Sequence, residues 1–480
     1  MADAVLENLI GTIEEITYFN SENGYTVMVI SSEGEPITVV GSFPELAEGV
    51  EVRLMGEWVN HSTYGNQFKA SLIEQTLPEN EAGILRYLAS GIIKGIREAT
   101  AVKIVEAFGR EAFDVIENDV DRLSSIKGIS KPKARKIQQE FKAQFASRET
   151  IQALTKLGLS QAEAFQAYNL FQSAAYDIIS DNPFAFVCDK GYSFTRAEEI
   201  ADNINSPDLF DYRCQACVTY IVRHNLDNGH TCLPRTAVLK SAMNYLECSE
   251  DHAEIAIDNA LQGQQLVSAE INGKEFLFAP EIYDAETAVA DRIKVMVNYP
   301  PRQINVDSSE IFAFERSNNI AFDDKQRAAI EIAVNQGMLI LTGGPGTGKT
   351  TTVRGIIALM KSRGMHVALA APTGRAAKRM SELTGFDAKT IHRLLEVEYK
   401  DGATEPSFVY NRKNKLDVDA VIIDELSMVD IKLFDSFLEA LPMSARLIMV
   451  GDKDQLPAVG AGNVLKDLTE SGLIPVVELD

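Results

Sequence analysis

The sequence predicts a multi-domain α/β protein: a small β-barrel, a tandem of helical hairpins, a helix-and-wing segment, and a C-terminal parallel-sheet domain built on a phosphate loop. Three observations predict it. Five short β-rich segments fall between residues 9 and 77; Ile-Lys-Gly-Ile recurs at Ile93 and Ile126 ahead of the same downstream pattern; and "MLILTGGPGTGKTT" joins an apolar run to a glycine-rich loop at Gly343. A length of 480 residues suits roughly three to four domains. With 45% apolar residues, each of them can bury a core.

Composition removes several classes of function. No stretch approaches the ~18 unbroken apolar residues of a membrane span, and the opening "MADAVLENLIGTIEE" lacks the basic-then-apolar order of a secretory leader. A membrane partner is therefore not expected, and a cytoplasmic location is. Five cysteines, odd in number and scattered, do not form a disulfide framework. The formal net charge of -23 argues by itself against nucleic acid, because phosphate affinity rests on Lys and Arg. Distribution reverses that argument. No Asp or Glu occurs from Ile332 to Ser381, where Lys349, Arg354, Lys361, Arg363, Arg375, Lys378 and Arg379 fall, and "KGISKPKARKIQQ" from Lys127 is likewise free of acid.

The first region, residues 1–77, carries "LIGTIEEITY", "GYTVMVIS", "EPITVVGS", "VEVRLMGEWV" and "QFKASLIEQTL", rich in β-branched residues and separated by turn formers. Five strands in so short a span imply a closed barrel of the OB type. Tyr18, Phe19, Tyr25 and Trp58 read equally as stacking platforms for a single strand or as core.

Residues 78–205 hold the repeat. In "IKGIREATAVKIV" and "IKGISKPKARKIQ" a glycine permits a tight turn with outward amides, and a helix with small and basic residues follows. This is the form of a helix-hairpin-helix, which grips a backbone phosphate without reading bases. Lys127, Lys131 and Lys133, with Arg135 and Lys136, favour DNA contact by the second copy; Glu98 favours a scaffold role for the first. A looser hairpin is read at "GYSFTRAEEIADNI" from Gly191. Residues 206–315 give helices and then a β-hairpin, "LVSAEINGKEFLFAP", the order of a winged-helix-like unit. Cys214, Cys217, His230 and Cys232 are read as apolar packing rather than zinc ligands, because the Cys-x-x-Cys lies within one helix and lacks the turn that aims two thiolates at one metal.

Residues 316–480 carry the chemistry. Gly343, Gly344, Pro345, Gly346, Thr347, Gly348, Lys349 and Thr350 match G-x-x-x-x-G-K-T between an apolar strand and the helix that Thr351 continues. Such a loop wraps phosphate oxygens with amides, Lys349 reaching the β- and γ-phosphates and Thr350 the Mg²⁺. The strand in "LDVDAVIIDELSMVD" ends at Asp424, placed to complete the Mg²⁺ shell, and Glu425, placed to orient or deprotonate water. "ARLIMVGDKDQLPAVGAG" ends another strand near Asp452 and Gln455, whose amide can sense the γ-phosphate. Gln326, at a helix start upstream, has the donor and acceptor that suit an adenine edge.

Taken in order, Gln326, "GGPGTGKTT", "APTGRAAKRM", "TIHRLL", "IIDELSMVD" and "GDKDQLPAVGAG" resemble the first, RecA-like motor domain of superfamily 1 DNA helicases, and more narrowly the RecD-like branch; the small β-barrel and hairpin repeats ahead of them resemble the long, stand-alone form of that branch. That resemblance implies ATP and Mg²⁺ as cofactors and 5′-to-3′ movement on single-stranded DNA, with single-strand/duplex junctions as substrates. It implies DNA contacts at Pro372, Thr373, Gly374, Arg375, Thr390 and His392, and a strand-splitting pin near residues 396–412, where Val397 and Tyr399 alternate before a turn and Phe408 and Tyr410 follow. For His392 a packed core position is the alternative.

Two features depart from the pattern. "LPAVGAG" stands where a serine and a second proline are more usual, and the motifs of a second motor domain, whose arginines reach the nucleotide, are absent from the sequence. The expectation is an N-terminal portion that binds Mg-ATP, hydrolyses it slowly, and relies on a second motor domain, supplied in trans if not in the same chain. The competing reading is a nucleotide-gated DNA-binding or adaptor protein with no motor activity of its own; a clamp-loader or signalling ATPase has no need of "GDKDQLP" or "APTGRAAKRM".

Overall fold

The computed structural model describes residues 7–20, 24–32, 34–43, 46, 48–61, 65–76, 78, 80–91, 93–187, 192–204, 209–398, 407–452, 455, 458 and 460–480. The chain forms two compact units, Met1–Ala216 and Cys217–Asp480.

The first unit opens with the barrel. Strands β1 (Glu7–Phe19), β2 (Tyr25–Ser32), β3 (Glu35–Ser42), β4 (Glu51–His61) and β5 (Gly65–Thr76) close in the order β1-β2-β3-β5-β4. Alternation fills the interior: Met28 and Ile30 of β2, and Val52 and Leu54 of β4, are fully buried. The β4–β5 ladder slips between Met55 and Gly56, and there a Cβ on Gly56 would stand 2.2 Å from the Lys69 carbonyl oxygen, so only glycine allows the approach. Tyr18, Tyr25 and Trp58 are exposed and Phe19 half-buried, so none of the four aromatics belongs to the core; Phe68 does.

The two hairpin copies make the same turn. Ile96 N–H donates to Ile93 O at 3.1 Å and Ile129 N–H to Ile126 O at 3.0 Å, with Gly95 at φ 107° and Gly128 at φ 103°. Each turn is followed by a helix, Glu98–Phe108 and Lys131–Lys156, the second begun by a Ser130 cap and Pro132. The copies pack reciprocally: Gly95 faces Ile137 of the second helix, and Gly128 faces Lys103 of the first. Ala101 and Ile104, with their counterparts Ala134 and Ile137, are fully buried, which explains the shared spacing. The helix Phe194–Ile204 follows further on; Gly191, which opens the looser hairpin, lies outside the described residues.

In the second unit, the wing is three-stranded rather than two-stranded: β6 (Cys232–Pro234), β7 (Val267–Ile271) and β8 (Lys274–Phe278) order as β6-β8-β7. Three residues ending in proline carry no alternation signal, so β6 is invisible in the sequence. The six-stranded sheet is wholly parallel, with β9 (Met338–Gly343), β10 (Val367–Ala371), β11 (Ala388–Thr390), β14 (Ala420–Ile423), β15 (Arg446–Gly451) and β16 (Val476–Leu479) in the order β11-β10-β14-β15-β9-β16. Between them in the chain, β12 (Val397–Glu398) and β13 (Ser407–Phe408) form a separate antiparallel pair.

Both faces of the sheet are covered, which is why its strands read as unbroken apolar runs. Leu339, Leu341, Ile422, Ile448 and Val450 enter one core; Ile340, Val421, Ile423, Leu447 and Met449 enter the other. That second core also takes Ile282, Val289, Ile293 and Met296 from the helix Pro280–Asn298, packed beside the helix Ile431–Ala440. The helix after the wing is thus built into the parallel-sheet domain.

Candidate nucleotide site and adjoining basic face

The C-terminal ends of β9, β14, β10 and β15 meet along one edge, the side of an open α/β sheet where ligands bind. At the end of β9 the chain turns through Gly343, Gly346 (φ 85°) and Gly348 (φ 87°) into the helix Lys349–Ser362. Thr347 Oγ1 donates to Gly344 O at 2.9 Å and braces the loop. Lys349 Nζ turns back over it, donating to Gly343 O and, at 2.8 Å, to Gly344 O. Its charge lies inside the ring of loop peptides, and Thr350 and Thr351 sit half-buried in the first helical turn.

Gln326 lies against this loop. Its side chain closes a capping box with Asp323, accepting from Asp323 N–H at 3.1 Å while its own N–H bonds Asp323 Oδ1 at 2.8 Å; its Nε2 reaches Thr347 O at 3.5 Å. The amide oxygen gives one of its two lone pairs to the cap. One Nε2 hydrogen is left for any further bond.

Asp424 follows β14 directly; its N–H donates to Ala370 O at 2.9 Å and its Oδ1 accepts from Glu425 N–H at 2.9 Å. Burial raises the Asp424 carboxyl above the usual range, against the Glu425 amide and the charges of Lys349 and Arg379. Glu425 is also raised, by burial and then by Asp424, against Arg379 and Arg375. Glu425 adopts φ 55°, uncommon for a non-glycine residue and of the kind that clusters at functional sites. Ser427, in the 3-10 turn Leu426–Met428, is buried with its Oγ unbonded among the described residues. Across from it, Asp452 is buried, and Gln455, whose N–H bonds Asp452 O at 3.2 Å, is exposed. Leu456, Pro457 and Val459 of "LPAVGAG" lie outside the described residues.

On the β10 side, Pro372 and Thr373 are half-buried, and Gly374 and Arg375 are exposed at the start of the helix Gly374–Thr384. Thr373 Oγ1 caps that helix, accepting from Ala376 N–H at 3.2 Å; Thr390 Oγ1 likewise accepts from Arg393 N–H at 3.1 Å. Both hydroxyls keep their hydrogen as a donor. His392 is exposed, not core, and its ring lies 5.9 Å from that of Phe408 on β13. Val397 pairs with Phe408 in the β12–β13 ladder, whose base joins the core through Phe408 and Tyr410. Tyr399 and the tip, residues 399–406, lie outside the described residues.

In the first unit, Lys127 is exposed and its carbonyl accepts from Lys103 Nζ at 3.2 Å. Lys131 is exposed but paired to Asp121 at 2.5 Å, and Lys133 is half-buried. Cys214 and Cys217 are buried, and no cluster of metal-binding side chains occurs among the described residues. The residue that the motifs leave without a role is Arg379, visible in the sequence only as one more basic residue and as i+4 to Arg375.

A parallel sheet with a glycine loop, lysine and paired carboxylates at its C-terminal edge defines a P-loop nucleotide-binding domain. Residues 326–461 match the AAA domain family. Upstream, residues 6–78 match the OB-fold domain of ATP-dependent DNA helicase YrrC, 86–143 the SAM-like helix-hairpin-helix tandem, and 143–232 the ATP-dependent RecD2 DNA helicase HHH domain. The chain is RecD2-like in this series of domains and in sequence. It is 29% identical to the ATP-dependent RecD2 DNA helicase of Deinococcus radiodurans over 479 residues, covering 96% of this chain and 66% of the relative. The RecBCD enzyme subunit RecD of Mycolicibacterium smegmatis is 37% identical over 219 residues, 41% of this chain and 38% of the relative. The subunit of the same name from Mycobacterium tuberculosis is 44% identical over 170 residues, 31% and 29% respectively. The chain thus spans about two thirds of the RecD2 relative and less of the RecD subunits.

Proposed function

We propose that the protein is an ATP-dependent DNA helicase of the RecD2 kind, moving 5′ to 3′ on single-stranded DNA and opening single-strand/duplex junctions. The observation that supports this best is the convergence of Lys349 and Asp424 at one sheet edge, with the Thr373 and Thr390 turns beside it. The donor set fits Mg-ATP: Thr350 and Asp424 would hold Mg²⁺, the loop from Gly343 to Thr351 the phosphates, and Gln326 the adenine through its remaining N–H. Bound Mg²⁺ neutralises charge developing on the phosphates. Glu425 then orients or accepts a proton from water, and Gln455, exposed above Asp452, registers the γ-phosphate.

The single strand runs over Pro372 to Arg375, Thr390 and His392 toward the β12–β13 pin, while Lys127, Lys131 and Lys133 of the second hairpin hold backbone phosphate. The ordinary setting is cytoplasmic; no helix among the described residues is long and apolar enough to cross a membrane. Directional movement needs a second motor domain that closes over the nucleotide, in the same polypeptide or in trans.

The test is ATP hydrolysis by this chain with and without single-stranded DNA, with Lys349→Ala as the blank, beside equilibrium binding of a fluorescent ATP analogue. Binding abolished by Lys349→Ala is expected, with turnover that DNA raises. Nucleotide binding indifferent to Lys349→Ala refutes the site; binding without any effect of DNA on turnover favours the adaptor reading for this chain.

A further inference from the structure

Resting on the reading above, we propose that Arg412 and Lys413, at the foot of the β12–β13 pair, hold backbone phosphates of the strand that the pin turns away. They belong to the run "NRKNK" from Asn411, which none of the nucleotide or DNA motifs absorbs. Hydrogen bonds tie this loop to β13. Asn411 Nδ2 donates to Phe408 O at 2.8 Å and to Val409 O at 3.1 Å, and Asn414 Nδ2 donates to Val409 O at 3.1 Å. Asn411 Oδ1 accepts from Lys413 N–H at 2.9 Å, an Asx turn, and Asn411 N–H donates to Asn414 O at 2.7 Å. A backbone so engaged holds its outer side chains over one place. Arg412 and Lys413 are both exposed, and neither side chain has a hydrogen bond or ion pair among the described residues.

Behind them stand two cations with a structural task. Arg292 Nη2 donates to Leu441 O at 2.6 Å and Lys415 Nζ donates to Glu439 O, so both serve the carbonyls that end the helix Ile431–Ala440. Burial, and next Arg292, hold Lys415 below its usual range against Glu439, while Arg412 repels Arg292 and Lys415 alike. Glu439 and Asp435 offset this inner pair. The outer pair is left to draw an anion.

Placement selects which strand supplies it. The sheet is parallel, so the chain must pass from the C-terminal edge, where β11 ends, to the N-terminal edge, where β14 begins. It does so through the β12–β13 pair and this loop, and Leu416 N–H then donates to Ala440 O at 2.9 Å. The Thr373 and Thr390 turns proposed for the tracked strand lie at the C-terminal edge. With that strand on one side of the pin and Arg412 and Lys413 at its foot on the way to the other edge, the DNA that reaches them is the excluded strand. Arg412 grips a phosphate bidentately and Lys413 as a point charge, without reading bases.

The measurement is equilibrium binding of the full 480-residue chain to three fluorescent DNAs: oligo-dT, a duplex with one 5′ dT tail, and a fork carrying a 3′ dT tail on the other strand as well. The single tail is lengthened so that the last two hold equal numbers of nucleotides. The unsubstituted chain should prefer the fork, and two single-strand phosphate contacts should make that preference grow about 2.6-fold for each halving of salt. Arg412→Ala with Lys413→Ala should bring the preference to about one at every salt concentration and leave oligo-dT binding unchanged. Arg412→Lys with Lys413→Arg should keep most of it. The proposal is overturned if the unsubstituted chain has no fork preference, if the double alanine variant keeps it, or if that variant weakens all three DNAs equally, which makes the loop a contact of the tracked strand. Equal weakening of the two duplex substrates alone places the loop on the duplex arm and overturns it too. Failure to bind even oligo-dT overturns the DNA reading as well, and is separately visible. Circular dichroism and hydrogen exchange confirm that each variant is folded.

Discussion

Alanine at the three inner glycines of the phosphate loop should give graded, unequal losses of stability, ordered by position. Gly344 has no left-handed φ and nothing within 4 Å of the place its Cβ would take; Gly346 is left-handed at φ 85° but equally open; Gly348 is left-handed at φ 87° with Gln326 Nε2 2.2 Å from the Cβ position. Left-handed backbone costs an L-residue about 1–2 kcal/mol. At Gly348 the flexible Gln326 amide can swing aside, so the added cost is what its present bonds are worth, about 1 kcal/mol for a helix cap. Gly344→Ala should thus be neutral or slightly stabilising, Gly346→Ala should lose about 1–2 kcal/mol, and Gly348→Ala about 2–3 kcal/mol.

Tryptophan fluorescence cannot read this, because Trp58 is the only tryptophan and lies in the barrel of the other unit. Native-state hydrogen exchange can, through amides of the helices Asp324–Asn335 and Lys349–Ser362, since it reports opening free energies locally. In Gly348→Ala the Asp324–Asn335 helix should lose protection at its first turn, where the capping box is; in Gly346→Ala it should not. Equal losses at all three glycines, or the largest at Gly344, would refute the claim that backbone conformation and Gln326 packing shape the loop.

Three further outcomes are expected. Lys131→Ala should weaken DNA binding and reduce the slope of log affinity against log salt by about one, whereas Asp121→Asn, which frees Lys131 from its ion pair, should strengthen binding; no change in either refutes phosphate contact by the second hairpin. Burial, reinforced by Glu439 and opposed by Arg292, pushes Asp435 up to about 6. The folded state therefore holds this proton more tightly than the unfolded chain, and stability falls as pH rises from about 4 to 6 and stays lower above. Asp435→Asn should leave stability at pH 4 unchanged and add on the order of 1 kcal/mol at pH 8, the full shift being discounted because the group is half-exposed; a gain of the same size at both pH values in urea melts refutes the cause. Finally, Phe408→Ala should lower the proposed junction unwinding more than ATP turnover, since Phe408 anchors the β12–β13 pair; equal losses in both assays would mean that it serves the core alone.

Legibility followed periodicity and local chemistry. The barrel strands, the hairpin turns at Gly95 and Gly128, and the strands ending at Gly343 and Asp424 each announce themselves through alternation, a positive-φ glycine or a continuous apolar run. The Ala and Lys-Ile matches of the repeat are explained by burial: Ala101 and Ala134, Ile104 and Ile137 face the shared core. What the sequence could not display is long-range. Thr373 and Thr390 look like hydrogen-bond donors to DNA, yet their oxygens are first of all helix caps. Lys131 looks like a free cation until Asp121, ten residues earlier, turns out to hold it. Arg379 carries no motif of its own, and its relation to Asp424 exists only because β10 and β14 are neighbours in the sheet.

The helix Pro280–Asn298 carries the same lesson to the scale of domains. Read along the chain, it closes the winged segment; in the fold, Ile282, Val289, Ile293 and Met296 belong to the core beneath the parallel sheet, beside Phe434, Phe437 and Leu438. Each such side chain is worth roughly 1.5–3 kcal/mol when buried, so the four together rival the whole margin of a typical domain. Gly462 N–H also donates to Gly229 O at 3.1 Å, tying the segment after Gln455 to the turn before β6. The loop that follows the proposed phosphate sensor and the turn that leads into the wing thus share a backbone bond. Any rearrangement of that loop is felt upstream without passing through a linker, because between residues 217 and 480 the chain is one compact unit.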